Sequence, residues 1–262
     1  MQKIELSTIK NVIVVASGKG GVGKSTVAAN LALALSRKNL KVGLVDADIY
    51  GPSIPSMFGL GTQKIEQFEE EGKLRILPIE KNGIKLMSLG FVVPADKAII
   101  WRGPLAANAV KQLFTDVVWG ELDYLIIDFP PGTGDIQLTT IQDIRVDGAI
   151  IVTTPQTIAV NDARKSAEMF TNEALAIPFI GVVENMSWFT PLNHPDEKYY
   201  IFGKGGGEVI AQEFYTKLLI QIPLIQDEFV DGKYNLYMDD STPLKDLFNE
   251  LADKLISKTN NY

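Results

Sequence analysis

Two lysines, Lys19 and Lys24, stand in the glycine-rich stretch SGKGGVGKST, Ser17 to Thr26. Within it GKGGVGKS, Gly18 to Ser25, has the spacing G-x-x-x-x-G-K-[ST]. Gly18, Gly20, Gly21 and Gly23, with Val22 among them, let successive backbone N–H groups curl around phosphate oxygens with no Cβ in the way. A helix beginning at Lys24 adds the partial positive charge of its N-terminus. In that arrangement Lys24 bridges the β- and γ-phosphates, Ser25 offers its hydroxyl to Mg²⁺ and Thr26 reaches the α-phosphate. A glycine-rich turn that merely joins strand to helix is the bland alternative. The complete motif between a buried strand and a helix start argues against it.

A phosphate loop needs carboxylates to hold the metal and place water. LIIDFPPGTGD puts Asp128 at the end of an apolar strand, where an acid holds magnesium through its water shell. The stiff Pro-Pro-Gly turn that follows brings the N–H of Gly132 to where it would sense a γ-phosphate. VDADIYGPS adds Asp46 and Asp48, which share a strand face at i and i+2. Asp48 is the working acid of the two in this reading, and a turn role for the other stays open.

These residues must be positioned by the elements around them. NVIVVASG (Asn11–Gly18) is a buried-strand pattern, followed by an alanine- and leucine-rich helix over Lys24–Asn39. Further strands are expected at KVGLVDAD, Ile84–Gly90, Asp123–Gly132, Gly148–Pro155, Pro178–Asn185 and Lys217–Leu224. Helices are expected at Pro104–Val118, Asn161–Ala174, Gly207–Phe214 and Pro243–Ile256. Alternation of continuous apolar strands with helices predicts a three-layer α/β fold, a mostly parallel, doubly wound sheet covered on both faces. Lys64–Ser88 breaks the rhythm as an inserted hairpin, with Glu69–Glu71 as a solvated turn. No repeat or Ser/Gly linker interrupts the chain, so residues 1–262 are expected to form one domain.

Composition bounds the partners. The 262 residues carry a net charge of −7, which argues against a surface built to wrap nucleic acid or an anionic membrane. No secretory signal or spanning segment is readable, so a soluble, cytoplasmic protein is expected. Cysteine is absent, which excludes disulfides and thiolate metal ligands from this chain.

Lys19 inside KGGVGKST, with DADIYGPS, WRGP (Trp101–Pro104), DFPPGTGD and ENMSWF, resembles the deviant-Walker ATPases, and within them the Mrp/ApbC-type iron–sulfur cluster carriers. The likeness runs from Asn11 to the last strand; MinD- and ParA-like relatives share the phosphate loop but typically not DADIYGPSIPSMFG and WRGP. It implies a P-loop NTPase fold, ATP and Mg²⁺ as ligands, and a homodimer closed across the nucleotide. Lys19 would reach the phosphates of the opposite subunit, stabilising transferring charge as an arginine finger does. Asp48 would orient the attacking water, Asp128 to Asp135 would form a second switch, Asn185 would recognise adenine, and the loop after Pro223 would line the base. Iron–sulfur client or scaffold proteins are the implied partners.

The chain departs from that pattern where the family carries its Cys-x-x-Cys. ENMSWF and YYIFGKGGG flank TPLNHPDEK (Thr190–Lys198), which has no thiolate for a cluster. His194 with Asp196 and Glu197 offers a hard O/N set, although a polar surface loop is the plainer reading. GKGGGE (Gly203–Glu208) lacks the Lys-Ser pair of a second phosphate loop and reads as a helix start. Leu244, Leu247, Phe248, Leu251 and Leu255 line one side of the last helix. With Asp246, Glu250 and Asp253 on its polar face, that helix is expected to pack on the sheet rather than hold a membrane. A positioning ATPase of the MinD/ParA kind and a regulatory ATPase without cluster cargo are the alternatives.

Overall fold

In the computed structural model, which describes residues 3–4, 6–61, 63–92, 103–191, 193–225 and 243–260, the first apolar run folds as β1 (Ile9–Ala16). The chain continues through α1 (Lys24–Arg37), β2 (Val42–Asp46), the single turn α2 (Ile54–Met57), β3 (Gln67–Glu70), β4 (Lys73–Ile76), β5 (Ile79–Lys81) and β6 (Ile84–Ser88). Then come α3 (Gly103–Thr115), β7 (Leu122–Asp128), α4 (Asp135–Asp143), β8 (Gly148–Thr153), α5 (Thr157–Thr171), β9 (Phe179–Glu184), α6 (Gly206–Glu213), β10 (Leu218–Gln221) and α7 (Pro243–Thr259). Trp101 and Arg102, and residues 226–242 of the loop after Pro223, lie outside the described residues.

Eight strands make one sheet in the order β10-β9-β8-β1-β7-β2-β6-β5, parallel except for the edge pair β5–β6. The expected hairpin insertion is present as β3–β4, with β5 turning antiparallel to re-enter the sheet. Strand alternation sorts the core into two layers. Ile13, Val15, Ile126, Ile150 and Val152 face α1 and α7, whereas Val14, Ala16, Ile127 and Ile151 face the side of α3, α4, α5 and α6. Burial on both faces explains why these strands read as unbroken apolar runs. Leu244, Phe248, Leu251 and Leu255 of α7 pack into the first layer, beside α1 and β10. The expected apolar stripe of the last helix is therefore core.

The chain steps outward from central β1 to β2 and β6 on one side and to β8, β9 and β10 on the other. The carboxyl ends of β1, β2, β7, β8 and β9 consequently share one edge, the place where open α/β sheets hold ligands. In-register pairing sets Val15 of β1 beside Asp128 of β7, and Asp128 beside Asp46 of β2. Residues distant in sequence, at 16–26, 46–48, 128–132 and 185, thus converge above that edge.

Candidate functional site

The glycines at the end of β1 answer to specific geometry. Gly21 and Gly23 adopt φ of 82° and 84°, the left-handed region that favours glycine. A Cβ on Gly18 would fall 2.0 Å from the backbone carbonyl carbon of Asp162, so the loop lies directly against the backbone of α5. No side chain caps the N-terminus of α1 and its first turn has no acid, which leaves its orphan N–H groups for an anion.

Lys24, the first residue of α1, is only 6% exposed and is held by carboxylates. Its Nζ lies 2.6 Å from Asp128 Oδ1 and 3.8 Å from Asp48 Oδ2, and donates more weakly to Ser25 Oγ at 3.4 Å. Asp128 is fully buried, and among the described residues its second oxygen, Oδ2, makes no hydrogen bond. Burial pushes the Asp128 carboxyl above its ordinary range, while Lys24 and the nearby Ser25 hydroxyl act to keep it ionised.

The two acids after β2 separate by role. Asp46 Oδ2 accepts from the N–H of Ile54 at 3.1 Å and the hydroxyl of Ser88 at 3.0 Å, and Oδ1 from the N–H of Asp48 at 3.2 Å. It is fully buried and anchors the turn that aims Asp48. Burial, then the charge of Asp128, push its carboxyl up to about 7. Asp48 is half-buried beside Lys24, so of the two it is the acid that faces the loop.

Other expected residues lie around the same centre. Lys19 Nζ rests 3.4 Å from Gln156 Oε1, at the N-cap of α5. The N–H of Gly132 is engaged, donating to the carbonyl of Ser17 at 2.8 Å, so it does not stand free to meet a phosphate. Gln137 of α4 holds the Pro130 and Pro131 carbonyls at 3.0 and 3.1 Å, stiffening that turn. Asn185 Nδ2 donates to the Val22 carbonyl at 2.9 Å and would collide with any Cβ on Gly23. Pro223 is half-buried beyond β10, and the carbonyl of Thr26 accepts from Asn30 at 2.9 Å. His194 sits in an exposed turn with Nδ1 3.4 Å from Glu197 Oε1. Among the described residues no three His, Cys, Asp or Glu side chains gather to hold a metal, and no helix is long and apolar enough to cross a membrane.

Sequence reasoning passed over Gln156, Ser88, Gln137 and Glu184. Gln156 and Ser88 make contacts far away in sequence, Gln137 reaches back six and seven residues to the proline turn, and no motif marks any of the three. Glu184 carried a readable signal, since it ends an apolar strand just as Asp46 and Asp128 do.

Residues 8–256 match the family model described as ParA: NUBPL iron-transfer P-loop NTPase. An iron-sulfur cluster carrier protein of Synechocystis is 48% identical over 217 residues, spanning 82% of this chain and 61% of that protein. One from Pseudomonas fragi is 45% identical over 250 residues, spanning 94% and 85%. The chain therefore covers only about three fifths of the first relative's length. Among solved structures, a nucleotide-binding protein of Archaeoglobus fulgidus in complex with ADP, with Co found, superposes with a TM-score of 0.68 at 36% identity, covering 95% of this chain and 89% of its own. MinD cell division proteins, at 22% identity or lower, share the fold alone. With its phosphate loop, sheet order and strand-end acids in place, the chain belongs to the NUBPL iron-transfer family of ParA-type P-loop NTPases.

Proposed function

We propose that this chain is a Mg²⁺-dependent ATPase, a switch that works as a homodimer closed across its nucleotide in the cytoplasm. The observation that carries the reading is Lys24, buried between Asp128 and Asp48 at the head of an uncapped helix. A buried cation held by two acids is poised to exchange one of them for phosphate oxygens without losing its compensation. When Lys24 turns to the β- and γ-phosphates, Asp128 is released for the metal's water shell.

The unpartnered Oδ2 of Asp128 and the adjacent Ser25 hydroxyl fit that ion, which takes few protein ligands and keeps its waters. Bound there, it would neutralise charge on the transferring phosphoryl group. The backbone of Gly18, Gly20, Gly21, Val22 and Gly23 cradles the phosphates, with Thr26 at the α-phosphate. Asp48 orients the attacking water. Lys19 leaves Gln156 to serve the second copy's phosphates. Gly132 senses the γ-phosphate by giving up its bond to Ser17, and Asn185 and Pro223 hold the adenine.

Calorimetric titration with ATP and GTP, with and without Mg²⁺, tests the ligand assignment, and phosphate release tests the chemistry. ATP binding strengthened by Mg²⁺ is expected, with Asp48→Ala retaining binding and losing turnover. Equal binding of ATP with and without Mg²⁺, or undiminished turnover in the variant, refutes the assignment.

The relatives named as iron-sulfur cluster carriers support a role in cluster assembly or transfer. The lack of cysteine favours a second reading, a regulatory ATPase that acts on iron–sulfur client proteins without carrying a cluster itself. Anaerobic reconstitution with iron and sulfide separates the two. Cluster absorbance at stoichiometric iron supports carriage, and clean failure supports regulation.

A further inference from the structure

Glu184 ends β9 with 1% of its surface exposed, and no ion pair reaches it among the described residues. Its carboxylate is instead surrounded by donors from three directions. Oε1 accepts from the Ser187 hydroxyl at 2.9 Å and from Gln221 Nε2 of β10 at 2.7 Å. Oε2 accepts from the N–H of Gly207, in the first turn of α6, at 2.7 Å. Three donors and the positive end of a helix compensate the buried group without a cation. Gly207 must be glycine for this approach, since a Cβ there would stand 2.8 Å from Glu184 Cβ. Gly206 and Gly207 therefore serve packing, whereas Gly205, at φ 73°, turns the chain into α6.

These bonds knit the turn that carries Asn185. Met186 takes a φ of 55°, a left-handed conformation that costs a non-glycine residue about 1 kcal/mol or more. The turn is held at both ends. The N–H of Asn185 donates to Thr153 O at 2.8 Å, and the N–H of Ser187 to Ile222 O at 2.9 Å. The Ser187 hydroxyl lies 2.9 Å from both the carbonyl and the carboxylate of Glu184. Ile222 in turn donates to Glu184 O at 2.8 Å, which sets the chain leading to Pro223.

We infer that Glu184 is a positioning residue for base recognition, locking Asn185 and the Pro223 segment into one wall by gathering β9, β10, α6 and the 185–187 turn on a single carboxylate. The inference rests on the reading of Asn185 and Pro223 as base contacts. It places no part of Glu184 at the phosphates.

The test compares ADP, GDP and inorganic tripolyphosphate by calorimetry in Mg²⁺ for the parent chain, Asn185→Ala, Glu184→Ala, Glu184→Gln and Ser187→Ala. Glu184→Ala is expected to lower the ADP-over-GDP preference about tenfold while tripolyphosphate binding stays within about twofold, a pattern a general packing defect does not produce. Glu184→Gln should restore most of the preference, because the Gln221 amide can turn to accept from the new side chain. Ser187→Ala, which keeps the carboxylate and removes one donor, is expected to lose the preference about threefold, and it carries the comparison should Glu184→Ala not fold. Unchanged preference in both Glu184→Ala and Ser187→Ala, or equal loss of all three ligands, overturns the inference while a selective loss in Asn185→Ala leaves the base reading standing. An Asn185→Ala variant that keeps the parent preference overturns the base reading, and the Glu184 role with it.

Discussion

Replacing Asp46 by asparagine should flatten the dependence of stability on pH. Asp46 is fully buried, lies in register with Asp128, and has its carboxyl pushed up to about 7 by burial and by that neighbour. In the unfolded chain an aspartate releases its proton near pH 3.9. Between about pH 4 and pH 7 the folded state therefore binds a proton that the unfolded state does not, so stability falls as pH rises through that window. Three units at about 1.4 kcal/mol each make the loss about 4 kcal/mol, complete above pH 7. Asparagine can place its carbonyl oxygen where Oδ2 accepts from Ile54 and Ser88, and forfeits the long contact to the N–H of Asp48, a loss of about 1 kcal/mol. Urea unfolding at pH 5 and pH 8, without nucleotide and with chelator, reads both effects. Asp46→Asn should be slightly less stable than the parent at pH 5 and more stable at pH 8. Parallel pH profiles for the two proteins would show that Asp46 does not hold its proton in the fold.

Three further outcomes follow from the same geometry. Lys24→Met removes the cation 2.6 Å from buried Asp128, so urea unfolding at pH 8 should show a loss of about 3–5 kcal/mol together with loss of ADP binding; unchanged stability would mean that the pair is not compensating the acid. Gly18→Ala must push the loop off α5, since its Cβ falls 2.0 Å from Asp162 carbonyl carbon, and a loss of about 2 kcal/mol or more is expected in the same assay. If Lys19 acts across a dimer, mixing Lys19→Ala with Asp48→Ala should restore about a quarter of the parent phosphate release, because mixed pairs keep one intact site; no recovery on mixing refutes the cross-subunit role.

Much of this protein was legible before any coordinate. The main strands and helices lie where the apolar runs and their periods put them, with boundaries shifted by a few residues, because strands buried on both faces must be apolar throughout. Helix α4 was missed: DIQLTTIQD is short, follows a Pro/Gly turn and carries too few apolar residues to show a period, and only packing beside α3 reveals it. Lys24, Ser25 and Asp128 were recognised by motif, which records backbone geometry and strand-end position, both local properties.

What only the tertiary structure decided is how those groups are engaged. The closeness of Lys24 to Asp128, the anchoring of Asp46 by Ser88 and Ile54, and the bond from Gly132 to Ser17 join residues 104, 42, 8 and 115 positions apart. Sheet order and register set the three long separations, which no window of sequence contains, and the short one depends on how the turn after β2 folds. The same holds for Glu184, a strand-end acid like the other two, whose partners on β10 and α6 turn it from a site acid into the fastening of a wall. Residue type and spacing by themselves determined the chemistry available to this chain. Folding decided which acids face Lys24 and which are fastened to the frame, because burial and hydrogen-bond partners, not identity, set what a carboxylate does.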